Sequence, residues 1–260
     1  MTARLLAALL ALLLTAASPR PSADEVMRRV NARPRGKDAT MTVRLALTGR
    51  GKFSKTILAR RRALPDGSRT LYYVDTPKHE EGIILLVAED SALNGLWMYF
   101  PSSDHLLRVA SRGLSALGSD FSCEDLKLAF PLQDYNFREI GRAEHKGHPT
   151  LQIEMRPREP RLQRELGFDH AVGWVREDLS MIVRSDYYDS EGNLFKTFQV
   201  EELKKIQGIL TATRTSMVNL RANHRTDVAI SEVRYFLDLS KESLAPPTLA
   251  GVSHAERGRR

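Results

Sequence analysis

The feature that most limits what this chain can fold into is a two-residue alternation that recurs from residue 41 to residue 237. Met41, Val43, Leu45 and Leu47 point to one side while Thr42, Arg44 and Ala46 point to the other, the pattern of a strand with one buried face. Similar runs occupy residues 68–74, 95–100, 105–110, 136–143, 150–155, 181–188, 194–201, 209–219 and 227–237, with less regular ones at 53–62 and 83–87. Turn formers separate them: Pro65-Asp66-Gly67, Lys146-Gly147-His148 and Asp189 to Asn193 supply preset or left-handed backbone angles. Short reversals join antiparallel neighbours, and the absence of long helical patterns between strands argues against a doubly wound parallel sheet. The expectation is a mainly β chain of about eleven antiparallel strands, arranged as an open or closed barrel or as a sandwich.

The two ends of the chain read differently. Arg4, the apolar run Leu5 to Leu14 and the small residues Thr15-Ala16-Ala17-Ser18 have the layout of a cleaved secretory signal peptide, taken as residues 1–23. The run is about half the length of a membrane-spanning helix, so the expected location is the periplasm. Residues 24–245 read as one domain, and Pro246-Pro247 opens a basic tail, 246–260, expected to be loose. A single cysteine, Cys123, excludes an internal disulfide and leaves stability to packing and backbone pairing. The net charge is +7. For an exported chain this charge does not indicate nucleic acid. Arg60-Arg61-Arg62 and Arg257-Gly258-Arg259-Arg260 read as solvated surface, with a weak attraction for anionic membranes that allows transient contact.

Helix signals are few. Ser22-Ala23-Asp24-Glu25 is a capping box opening a helix over Asp24 to Asn31, with Val26, Met27 and Val30 on one face. The stretch Gly118-Ser119-Asp120-Phe121-Ser122-Cys123-Glu124-Asp125-Leu126 concentrates acids and hydroxyls around the cysteine. With Ser122 as cap, Asp125 completes a second box, Phe121 and Leu126 have the spacing of a hydrophobic staple, and Cys123, Leu126 and Phe130 share a face before Pro131. This predicts a short, marginal helix that docks on something larger. No Gly-x-Ser-x-Gly elbow accompanies the serines, and the acids beside Cys123 raise its thiol pKa, so no catalytic residue is assigned. His145 and His148 sit in a hairpin turn and His79-Glu80-Glu81 lacks a second histidine, so no metal or cofactor is expected. Trp97 and Tyr99 share a strand face that is either ordinary core or the wall of a cavity.

An ordered series of residues resembles the LolA-like outer-membrane lipoprotein-sorting proteins. It comprises Trp97-Met98-Tyr99-Phe100-Pro101, Arg108, Gly118-Ser119-Asp120-Phe121-Ser122 with Glu124-Asp125-Leu126, then Tyr187-Tyr188-Asp189, Gly192, Lys196 and Thr226. The resemblance covers most of residues 40–245. It implies an unclosed antiparallel β-barrel around an apolar cavity, covered by a few short helices, that carries the acyl chains of a lipid or lipoprotein through the periplasm. It also implies a membrane partner, an inner-membrane exporter of hydrophobic molecules. Val43, Leu45, Trp97, Tyr99, Phe121, Leu126 and Phe130 are the expected cavity and lid residues, the lid being the helix after Ser122. Cys123 and the loop Thr76 to Gly82 depart from the family pattern. The other reading is a periplasmic binding or sensory module that contacts a membrane protein without carrying cargo.

Overall fold

The computed structural model describes residues 20–49, 51–127, 130–240 and 244–257; the apolar run of the expected signal sequence lies outside them. The strands are β1 (Asp38–Gly49), β2 (Phe53–Leu64), β3 (Gly67–Thr76), β4 (Ile84–Asp90), β5 (Leu93–Phe100), β6 (His105–Val109), β7 (Tyr135–His145), β8 (His148–Pro157), β9 (His170–Arg176), β10 (Met181–Tyr188), β11 (Leu194–Ile206), β12 (Ile209–Asn219) and β13 (His224–Tyr235). They form one 13-stranded sheet in the order β6-β5-β4-β3-β2-β1-β13-β12-β11-β10-β9-β8-β7. Every pairing is antiparallel. Because β1 pairs with β13, the first and last strands meet inside the sheet, and the free edges are β6 and β7 in mid-chain. The sheet is therefore an unclosed barrel, and a crossing segment between Val109 and Tyr135 joins its two edge strands in sequence.

Twelve of these strands fall where the alternation predicts. The additional one is β9, His170-Ala171-Val172-Gly173-Trp174-Val175-Arg176, in which Ala171, Val172, Gly173 and Val175 are all buried. Burial on both faces erases the alternation that reveals a strand. Turn chemistry is as expected at Lys146-Gly147, where φ of 50° and 77° makes a hairpin reversal with both central residues left-handed. At Gly67 a Cβ would stand 2.1 Å from the Glu89 carbonyl oxygen, so a neighbouring backbone excludes any side chain there.

Among the described residues three α-helices accompany the sheet: α1 (Ala23–Ala32), α2 (Pro160–Leu166) and α3 (Leu249–Arg257). Ser22 caps α1 by accepting from the Glu25 N–H at 3.2 Å, and Val26, Met27 and Val30 are buried. Between Pro160 at the start and left-handed Gly167 at the end, α2 carries the asymmetric stop signals of a short helix.

The inner face of the sheet carries a continuous apolar layer. Over β7 to β12 it packs on α1 through Leu151, Ile153, Met155, Val175, Tyr187 and Met217. Over β1 to β5 it packs on the crossing segment, where Ala116, Leu117 and Cys123 meet Val43, Ile57, Val74 and Leu85. The outer face of β3 to β5 has its own cluster, Leu71, Tyr73, Ile84, Leu86 and Tyr99, closed by Leu244 and Leu249. Residues 246–257 are thus not loose: Leu249 and Ser253 are fully buried, and Ser253 donates to the Gly82 carbonyl at 3.0 Å. No helix among the described residues is long and apolar enough to cross a membrane.

Candidate functional site

The inner apolar layer leaves a cavity of about 270 Å³ between the sheet and the crossing segment. Met41, Val43 and Leu45 of β1, Ile57 of β2 and Val228 and Ile230 of β13 form its floor, because Val43 lies opposite both Ile57 and Ile230 in the ladder and Leu45 lies opposite Val228. Leu117, Phe121 and Leu126 form its roof, and Phe198 and Leu210 contribute from β11 and β12. A smaller chamber of about 160 Å³ adjoins it, lined by Val30, Phe130, Met181, Ile182, Tyr187 and Val200.

The roof is not the helix expected after Ser122. Residues 123–126 are turns closed by i→i−3 bonds, Asp125 N–H to the Ser122 carbonyl at 3.1 Å and Lys127 N–H to the Glu124 carbonyl at 3.0 Å, and Ser122 itself forms a bridge to Ser115. Cys123 N–H donates to the Leu114 carbonyl at 2.8 Å, Glu124 N–H to Arg112 at 2.9 Å and Ala116 N–H to Phe121 at 2.7 Å. The segment therefore folds back on itself as a tight hairpin whose tip, Leu117-Gly118, has φ of 52° and 79°. The reciprocal box is nevertheless made: Asp125 N–H donates to Ser122 Oγ at 3.2 Å, and Ser122 N–H donates to Asp125 Oδ2 at 2.7 Å. The staple is not: Phe121 packs edge-on against Phe198, while Leu126 joins the cluster of Val43 and Ile57. Phe130 stacks edge-on against Tyr135 in the other half of the core, so it shares no face with Cys123 and Leu126.

The motif residues are the polar fastenings of this roof. Asp120 accepts from Thr226 Oγ1 at 2.7 Å while its own N–H donates to the same oxygen at 3.0 Å, tying the hairpin to β13. Asp125 accepts from Lys196 Nζ at 2.7 Å and from Tyr187 Oη at 2.9 Å, tying it to β10 and β11. Burial pushes the Asp125 carboxyl pKa up, but the Lys196 ammonium and the Ser122 donors outweigh that and hold it below its ordinary value. Ser119 bonds within the hairpin, donating to the Ala116 carbonyl at 2.7 Å, and Lys55 donates to the Leu117 carbonyl at 2.8 Å. Glu124 pairs with Lys127 at 2.9 Å. Cys123 is buried, and desolvation together with Asp125 and Glu124 pushes its thiol up to about 11.

Four of the residues named from the sequence, Val43, Leu45, Phe121 and Leu126, line the larger cavity, and Phe130 lines the smaller one. Trp97 and Tyr99 line neither. Both belong to the outer-face cluster beneath Leu244 and Leu249, and the Arg108 guanidinium stands 5.7 Å from the Trp97 ring centroid. Pro101 opens the turn between β5 and β6, also away from the cavity. Alternation gives a strand two faces but does not say which is inside when both are covered. Arg33 and Arg35 are not picked out from the sequence, and Arg61, read there with its neighbours as solvated surface, is instead buried; all three line the larger cavity beside Thr70, Tyr72 and Tyr235. The signal for Arg61 was present. Lys55, Ile57, Ala59 and Arg61 are in phase on β2 and all buried, whereas Arg60 faces outward to Glu256.

A family model described as that of an uncharacterized protein matches residues 66–249. The chain belongs to this family, and its fold is LolA-like. Its fold is shared with an outer membrane lipoprotein-sorting protein domain from Vibrio parahaemolyticus, at TM-score 0.79 and 21% identity, covering 87% of this chain and 97% of that one. A DUF1329 family protein from Desulfovibrio piger ATCC 29098 is similar at TM-score 0.76 and 21% identity over 86% and 96% of the two chains. A LolA superfamily protein from Nitrosomonas europaea is similar at TM-score 0.67 and 16% identity over 86% and 97%. No curated protein matches the sequence.

Proposed function

We propose that the protein is a non-enzymatic periplasmic carrier that shields the acyl chains of a lipid or lipoprotein and works beside an inner-membrane exporter, moving cargo towards the outer membrane. The observation that supports this reading is the apolar cavity held between an open sheet and a fastened, non-helical roof. The lipoprotein-sorting assignment of the Vibrio domain agrees with it.

Size constrains how such a carrier works. Each methylene removed from water contributes about 0.8 kcal/mol, so full enclosure of a ~16-carbon chain would contribute on the order of 12 kcal/mol before entropic costs and make release slow. A cavity of about 270 Å³ is near the lower end for small-molecule sites, ~300–1,000 Å³. A long chain is therefore enclosed in part, or enters as the roof hairpin lifts from the sheet. Delipidated protein titrated with a fatty acid or lysolipid, followed by native mass spectrometry or displacement of an apolar dye, tests this directly. Trp97 is an unsuitable reporter because it lies on the outer face. Saturable uptake is expected, and Leu126→Asn should weaken it roughly ten- to a hundredfold by replacing apolar roof with an amide. No acyl lipid in the native extract and no uptake by the folded protein would favour a module that contacts a membrane protein instead.

A further inference from the structure

We propose that Arg33, Arg35 and Arg61 form an anion subsite that receives the oxyanion headgroup, carboxylate or phosphate, of a lipid whose chains occupy the adjoining apolar chambers. The inference rests on the carrier reading above and specifies its cargo class. Arg33 and Arg35 line both chambers, and Arg61 lines the larger one, so the cations stand where the two apolar spaces meet.

Three features point to a ligand rather than to structure. First, the guanidinium groups are close enough to repel one another: burial lowers the Arg35 pKa to about 10, with Arg33 and Arg61 adding to the shift, and Arg33 is lowered by burial and by Arg61. Second, the bonds of Arg33 and Arg61 fix position without neutralising charge, and Arg35 is held beside them. Arg33 Nη1 donates to the Leu210 carbonyl at 2.8 Å, Arg35 donates to the Asn31 and Val30 carbonyls at the end of α1 at 3.0 and 3.1 Å, and Arg61 Nη1 donates to Gly36 at 3.2 Å. Among the described residues neither Arg33 nor Arg61 has an ion-pair partner. Glu89 acts on Arg61 only at longer range and bonds to Ser68, while Asp125, the carboxylate lining both chambers, is taken by Lys196. Third, Arg61 is 8% exposed and its Nε is buried without a hydrogen-bond partner. A buried, unsatisfied N–H of a cation is costly, and a guanidinium fork matches a carboxylate or phosphate. Gly36 helps to build the site. Its φ of 74° turns the chain from α1 into β1, and a Cβ there would stand 2.6 Å from the Tyr235 ring.

The test compares ligands of equal chain length on the full mature protein: palmitate and lysophosphatidate against the uncharged monopalmitoylglycerol, with inorganic phosphate as a separate arm. The anionic lipids are expected to bind at least about tenfold more tightly than the neutral one, with a ratio that falls towards one in Arg61→Gln and in Arg33→Gln. Inorganic phosphate is expected to compete only weakly. Equal affinity for neutral and anionic lipids in the unmodified protein would overturn the subsite and leave the carrier reading standing. Failure of all three lipids to bind would remove the carrier reading as well. Tight phosphate binding that no lipid displaces would assign the arginines to a free anion and overturn the headgroup role.

Discussion

Asp125 is the residue on which the roof depends most. Its carboxylate is buried and collects Lys196 Nζ, Tyr187 Oη and both the N–H and the hydroxyl of Ser122. Removing one member of such a pair strands the other charge, which costs about 3–5 kcal/mol where the pair is buried. Asp125→Ala should therefore destabilise the protein by about that amount in urea unfolding, whereas Ser122→Ala, which removes only a hydroxyl cap, should cost about 1 kcal/mol. The pH dependence has a definite sign. Asp125 has a lowered folded pKa, so its stabilisation is complete above the ordinary unfolded value of about 3.9 and disappears as pH falls through the folded value. Acid unfolding of Asp125→Asn should accordingly show a shallower slope at low pH than the unmodified protein. An unchanged slope would mean that other carboxylates carry the acid transition.

At the scale of elements, α3 is a structural part of the sheet's outer face. Leu249 is fully buried against Tyr73, Ile84, Leu86 and Tyr99, and the side chains of Arg60 and Glu256 pair across the same interface. A second fastening is the buried pair of Arg69 and Asp90, at 2.6 Å, from which Arg69 Nη1 also reaches the Leu244 carbonyl at 3.3 Å. Leu249→Ala removes a buried side chain whose loss typically costs about 2–5 kcal/mol. It should lower the urea midpoint and expose the outer cluster to an apolar dye such as ANS, while uptake of acyl ligand by the inner cavity persists in the folded fraction. Loss of uptake with stability intact would instead connect α3 to the cavity.

For the whole molecule the topology determines where opening begins. The seam β1–β13 is in the middle of the sheet, far in ladder order from both free edges. Those edges are guarded differently. β6 has only five residues, with Leu106 and Leu107 exposed, whereas β7 carries Arg138, Glu139, Arg142 and Glu144 and a bulge between Glu139 and Gly141, devices that discourage edge-to-edge pairing. Native-state hydrogen exchange should be fastest in β6 and in the outer rim of β7, and slowest in β1, β2 and β13. Protection in β6 equal to that in β1 would show that the opening between β6 and β7 is covered in solution.

The sequence alone determined most of the strands and the antiparallel meander, because alternation with intervening turn residues is a local pattern that survives tertiary context. It also determined the cap of α1 and the reciprocal box of Ser122 and Asp125, since both are made within four residues. Tertiary structure decided what the box belongs to. The carbonyls of Arg112 and Leu114 hold the Glu124 and Cys123 N–H groups in a hairpin, and Lys196, seventy-one residues away, took the carboxylate. Only the packing of α3 could place Trp97 and Tyr99 on the outside, because a strand's two faces look alike when both are covered. The arginines of the cavity likewise come together from the end of α1 and from β2, and no spacing along the chain records that three cations separated in sequence share one buried space.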